Sequence, residues 1–137
     1  MISGKELMIN DYVDAFGNGD SLDFGIVHEI RYCGKEIVIG FDGDASGIFA
    51  ENEISPIRLT KEFFLQNGFI ELYANEYIVR LYNRDNCLRI RMYLPKGFHT
   101  SWSIYTGIHT IDINYVHEFQ HYLRSMNLSS YADNLKI

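Results

Sequence analysis

Hydrophobic periodicity changes once along this chain, near Thr60, and that change narrows the folds open to it. Before Thr60 the apolar residues come in short β-type groups: Met8-Ile9, Tyr12-Val13, Ile26 to Ile30, Ile37-Val38-Ile39, Ile48-Phe49, then Ile54 and Ile57. The breaks hold Gly17-Asn18-Gly19-Asp20, Gly34 and Asp42-Gly43-Asp44, residues that accept tight turns. Four or five strands this short leave unpaired edges unless they curl, so a small barrel of SH3-like type is expected. After the change, Thr60 is placed to N-cap a helix running to Gln66, with Asn67-Gly68 as its stop. Strands follow over Phe69–Tyr73, Tyr77–Tyr82 and Cys87–Leu94, a fourth fits Phe98–Tyr105, and an amphipathic helix fits Asp112–Met126. The tail from Leu128 reads as loosely attached. The expectation is an α+β chain: an SH3-like β-barrel half over 1–59, then an α-β-β-β(-β)-α half over 60–137, or both fused into one domain.

A chain of 137 residues buries enough surface to hold its core without a disulfide or metal, so stability implies no cofactor. Cys33 and Cys87 lie far apart in no metal spacing and read as two reduced thiols. No apolar run approaches the roughly 20 residues of a membrane helix, and the opening residues lack a signal-type apolar region. A cytoplasmic protein is expected.

Charge is unevenly spread. Residues 1–60 carry four bases against eleven acids, whereas 61–137 carry eight against seven. Within the second half, Arg80, Arg84, Arg89, Arg91 and Lys96 occupy a seventeen-residue stretch whose only acid is Asp85. In Cys87–Leu94 the side chains alternate, Leu88, Ile90, Met92 and Leu94 on one side and Arg89, Arg91 and Tyr93 on the other, as in a half-buried strand. The polar side, with Arg80, Tyr82, Arg84 and Lys96, is a solvated sheet face or a partner-binding face for RNA or an acidic protein surface.

Two motifs match metal sites by letter. His117-Glu118-Phe119-Gln120-His121 satisfies H-E-x-x-H, in which two histidines one helical turn apart bind zinc and the glutamate activates water. A third ligand is lacking nearby, since Arg124 and Asn127 stand where the metzincin continuation needs Gly and His. The competing reading is two solvated histidines opposite a docking stripe of Tyr115, Val116, Phe119, Tyr122, Leu123 and Met126. Asp42-Gly43-Asp44-Ala45-Ser46-Gly47 with Glu53 fits the spacing of a calcium loop, but its upstream flank is strand-like and Pro56 breaks an exit helix. A strand-loop-strand hairpin explains the same letters. No nucleophile elbow, Walker loop or dinucleotide fingerprint is present. His28, alone on a presumed strand, reads as a surface residue, and nothing in the sequence pairs Cys87 with a histidine. These readings assign no catalytic residue, metal ligand or cofactor.

Three stretches resemble a family of small uncharacterised proteins of phages, prophages and mobile elements of Bacteroidota. They are Ser3-Gly-Lys-Glu-Leu-Met-Ile-Asn-Asp-Tyr-Val13, Ser55-Pro-Ile-Arg-Leu-Thr-Lys-Glu-Phe-Phe-Leu-Gln-Asn-Gly-Phe69 and Ile113-Asn-Tyr-Val-His-Glu-Phe-Gln-His-Tyr-Leu123. The family pattern has Gln and Asn where this chain has Glu118 and His121, so its shape requires no zinc. The resemblance implies a fold shared with that family, whose biochemical role is unassigned; from the phage setting, a non-enzymatic accessory protein that acts by stoichiometric binding is expected. The expected partner is a host protein such as a CRISPR effector or its guide RNA complex, in the manner of an anti-CRISPR inhibitor. Its contact surface is expected on the acidic barrel or on the Arg80, Tyr82, Arg84, Arg89, Arg91, Tyr93 and Lys96 face. Aromatics, ten of them tyrosines, suit such an interface. A zinc hydrolase and an RNA-binding module are the competing readings.

Overall fold

The computed structural model describes residues 7–14, 24–33, 36–43, 47–50, 54–93, 101–105 and 108–137. The chain is α+β, built on two antiparallel sheets, and divides into two compact units. The first comprises Met1–Arg58, Tyr115–Leu135 and Ile137; the second comprises Leu59–Asn114 and Lys136. The second unit thus begins beside the expected boundary at residue 60, but the chain from Tyr115 to Leu135 groups with the N-terminal sheet.

In the first unit, strands β1 (Tyr12–Asp14), β2 (Phe24–Cys33), β3 (Glu36–Gly43), β4 (Gly47–Ala50) and β5 (Ser55–Pro56) form a sheet of order β4-β3-β2-β1-β5. This corrects the expected barrel. The sheet is open, with β4 and β5 as its edges and no pairing between them among the described residues. Pro56, which has no N–H to donate, sits on the edge strand, where that loss leaves no ladder bond unmade. Its core joins Leu7, Val13, Val27, Ile39 and Ile54, with Ile30 packed against them. Strands β3 and β4 pair on either side of the calcium-type letters, Phe41 opposite Gly47, which is the hairpin expected there. Asp44–Ser46 and Glu53 lie outside the described residues.

Two helices belong to this unit, α2 (Val116–Ser125) and α3 (Ser129–Asp133). The expected helix from Asp112 starts late because Thr110–Ile113 is a strand of the other sheet. The tail is held, not loose: Ala132 and Leu135 are buried, and the Tyr12 hydroxyl donates to the Asp133 carbonyl at 2.7 Å.

Burial raises the Tyr12 hydroxyl above its ordinary 10.0, with Asp133 adding and Arg124 partly offsetting, and burial alone raises Tyr122. A raised folded value means that, above about pH 10, the unfolded chain sheds these protons while the folded chain keeps them, so stability is lost as pH climbs further. Urea midpoints measured upward from about pH 8 are expected to fall beyond pH 10. Tyr12→Phe should flatten that fall while costing about 1 kcal/mol at neutral pH for the lost hydrogen bond. An unchanged alkaline slope in the variant would refute the assignment.

In the second unit, α1 (Lys61–Gln66) is N-capped as expected: the Phe63 amide donates to Thr60 Oγ1 at 3.1 Å. It stops at Asn67, followed by Gly68 with φ of 86°, a left-handed conformation that glycine adopts freely. Strands β6 (Phe69–Ala74), β7 (Ile78–Asn83), β8 (Leu88–Tyr93), β9 (Trp102–Tyr105) and β10 (Thr110–Ile113) follow in the order β10-β9-β8-β7-β6. One face of this sheet buries Val79, Leu81, Leu88, Ile90, Trp102, Ile104 and Ile113. Phe64 of α1 is fully buried, with ring centroids 5.2 Å from Phe69 and 4.9 Å from Trp102, both edge-on. On the opposite face, Arg80, Arg89, Tyr105 and Asp112 are exposed.

Candidate functional site: a basic, aromatic sheet face

Side chains alternate across a strand, so burying Val79, Leu81, Leu88 and Ile90 sends Arg80, Tyr82, Arg89 and Arg91 to the other side. Register turns them into two rows. Tyr73, Arg80, Arg91, Ser103 and Asp112 stand opposite one another on successive strands, and beside them run Ile70, Tyr82, Arg89, Tyr105 and Thr110. Tyr93 continues this face along β8, opposite Ile78.

The geometry of the arginines is shaped by rings. The Arg91 guanidinium carbon lies 5.3 Å from the Tyr93 ring centre and 5.7 Å from that of Tyr105, and Arg89 lies 5.8 Å from that of Tyr82. Cation–π contact of this kind orients a guanidinium while leaving its N–H edges available. Among the described residues, neither Arg80, Arg89 nor Arg91 has an ion-pair partner. Asp112, the acid of the first row, accepts a 2.7 Å hydrogen bond from Ser103 instead. Arg91 Nε is buried and makes no hydrogen bond. Arg80 and Arg91 are direct cross-strand neighbours, a like-charge arrangement that costs stability. A shallow pocket of about 330 Å³ lies among them, lined by Leu72, Arg80, Arg89, Arg91 and Tyr105 together with Leu81 and Ile90. Tyr73, Tyr93 and Tyr105 are about half exposed, as are Ile70 and Leu72.

Of the seven residues expected to bind a partner, Arg80, Tyr82, Arg89, Arg91 and Tyr93 share this face. Arg84 lies in the turn joining β7 and β8, off the two rows, and Lys96 lies outside the described residues. Sequence reasoning missed Leu72, Tyr73 and Tyr105. Their signal, an exposed aromatic or aliphatic side chain in a predicted strand, acquires meaning only once the pairing partner is known.

The H-E-x-x-H residues form a different structure. Glu118 accepts from the Tyr115 amide at 3.1 Å and so caps its own helix. His121 Nε2 is 2.7 Å from Asp11 Oδ2, while Arg124 donates to Asp11 Oδ1 at 2.6 Å and the Met8 amide to Oδ2 at 2.7 Å. His117 is buried and stacks on Tyr115 at 5.9 Å. The expectation of two solvated histidines is therefore corrected. The polar side of α2 is covered too, by the Met8–Asp11 segment and by α3, so its histidines are packed. Gln120, fully buried, accepts from the Tyr12 amide at 2.9 Å and donates to the carbonyls of Asn10 and Ala132. No group of three or more His, Cys, Asp or Glu suited to a metal occurs among the described residues. Here His121, Glu118 and Gln120 join elements of the fold. His28 is exposed on β2, and Cys87 is an exposed free thiol in the β7–β8 turn.

This is an α+β chain of two antiparallel-sheet units, the second bearing an open basic and aromatic face. Compared with family models, curated proteins and solved structures, it finds no match. No helix among the described residues is long and apolar enough to cross a membrane.

Proposed function

We propose that the protein acts by stoichiometric binding, without catalysis. On this reading it is an accessory protein of the phage and mobile-element type that occupies a host defence nuclease in the host cytoplasm, a CRISPR effector or its guide RNA complex. The observation that carries the reading is the cluster of Arg80, Arg89 and Arg91 on one sheet face, Arg89 and Arg91 held by tyrosine rings and none of the three with a carboxylate partner among the described residues. Uncompensated like charges on neighbouring strands lower the stability of the free protein, and an anionic partner removes that cost on docking. Tyrosine and arginine are also the side chains that dominate the energetics of interfaces. The resemblance to phage and mobile-element proteins supports the choice of a defence nuclease as target.

The test is cleavage by purified CRISPR effectors of Bacteroidota hosts, with and without the protein, alongside capture of the effector. Inhibition saturating near equimolar protein is expected. Replacing Arg80, Arg89 and Arg91 together by Glu should weaken capture at least about a hundredfold, since interface arginines each contribute about 2 kcal/mol or more at hot spots. Full inhibition by the triple variant, or no capture by the unaltered protein, would refute the reading.

A further inference from the structure

The chemistry of this face narrows its occupant further, on the reading that it is the binding surface. We propose that Arg80, Arg89 and Arg91 around this pocket hold the backbone of a single-stranded nucleic acid, one phosphate at each arginine, with the neighbouring bases stacked on Tyr105 and Tyr73.

The anionic part of the argument is local. Three guanidiniums line one pocket, none paired with a carboxylate among the described residues, and Arg91 Nε is a buried donor whose hydrogen bond is unmade. A buried donor without an acceptor is costly, and an oxygen-rich anion entering the pocket supplies one. The chain's formal charge of −6 does not oppose this, because charges more than about 8 Å from the phosphate are screened at physiological salt.

The planar part separates nucleic acid from an acidic peptide. A carboxylate uses the N–H edges of arginine and has no use for ring faces. Here the arginines are interleaved with tyrosines, and Tyr73 and Tyr105 are half exposed. Bases of a single strand use both, phosphate on guanidinium and base on ring. Spacing agrees: Arg89 and Arg91 are two residues apart on one strand, about 6.8 Å, close to the repeat of an extended sugar–phosphate chain. A duplex hides its base faces, so it would use the arginines and leave the rings idle.

The experiment is fluorescence anisotropy of a fluorescein-labelled oligouridylate of about twelve nucleotides, with duplex DNA of the same length and poly-glutamate as competitors. The oligouridylate is expected to bind with a log–log salt slope near −2, at about 0.7 per phosphate contact for three arginines. Arg89→Gln with Arg91→Gln should flatten the slope by about 1.4. Tyr105→Leu should leave the slope in place and weaken binding by about tenfold through lost stacking. Arg89→Lys with Arg91→Lys, which restores charge but not ring stacking, should recover the slope, separating electrostatics from misfolding. Poly-glutamate that displaces the oligouridylate efficiently and binds Tyr105→Leu as tightly as the unaltered protein would overturn the proposal in favour of an acidic protein. Absence of oligouridylate binding at low salt would overturn it outright. The two readings fail separately: effector capture without oligouridylate binding sinks only this inference, whereas oligouridylate binding without effector capture sinks only the nuclease partner.

Discussion

Asp11→Ala is expected to lower the unfolding free energy by about 3–5 kcal/mol, the range for breaking one partner out of a buried ion pair. Asp11 has no exposed surface, and the Arg124 side chain that pairs with it is 13% exposed. Removing the carboxylate strips an acceptor from Arg124, His121 and the Met8 amide together, leaving Arg124, among the described residues, a 3.3 Å contact with Asp133. A buried guanidinium without its counter-charge is far more costly than the pair was helpful, because the low-dielectric site that strengthens the pair also penalises the lone ion. Replacing both members by apolar residues, Asp11→Leu with Arg124→Met, should therefore restore much of the loss. Urea unfolding followed by circular dichroism measures all three proteins. A loss below about 1 kcal/mol for Asp11→Ala would place this network among ordinary surface ion pairs.

Phe64→Ala is expected to cost a similar amount, about 3–5 kcal/mol, for a different reason. The ring is fully buried and meets Phe63, Phe69 and Trp102 edge-on, at centroid distances of 5.4, 5.2 and 4.9 Å. Truncation removes the transferred area and leaves a cavity whose walls, β6, β9 and α1, are tied by backbone pairing and collapse only in part. The chain's single tryptophan is Trp102, so its fluorescence reports this unit directly. Phe64→Leu keeps most of the volume and should lose much less, under about 1.5 kcal/mol in all. A Trp102 transition in Phe64→Ala matching that of the unaltered protein would contradict the packing described.

The elements read most reliably were those whose cues lie within a few residues. Thr60 and Asn67-Gly68 delimit α1 because a cap and a left-handed stop are local chemistry. The alternation from Leu88 onward announced both β8 and which of its sides carries arginine. Residues 110–113 show the opposite case. Asp112 and the following apolar residues fit a helical stripe, yet Thr110, Ile111 and Ile113 also alternate, and pairing with β9 settles the competition in favour of strand. His121 read as solvated because helical spacing does not say what covers the polar side of a helix; its partner, Asp11, lies 110 residues away. Barrel closure failed as an expectation because short strands demand protected edges but do not say how they are protected.

From residue order alone came the α+β class, the capped helix, the alternating strands and the basic character of one sheet side, since each follows from periods of two or about 3.6 that neighbouring residues set among themselves. The cross-strand rows that bring Tyr73 and Tyr105 to Arg80, Arg89 and Arg91, and the seating of Asp11 between His121 and Arg124, came from the folded chain. Those contacts depend on register and on segments far apart in the chain. Their free energy is collected only when the whole unit closes, so no local pattern encodes them.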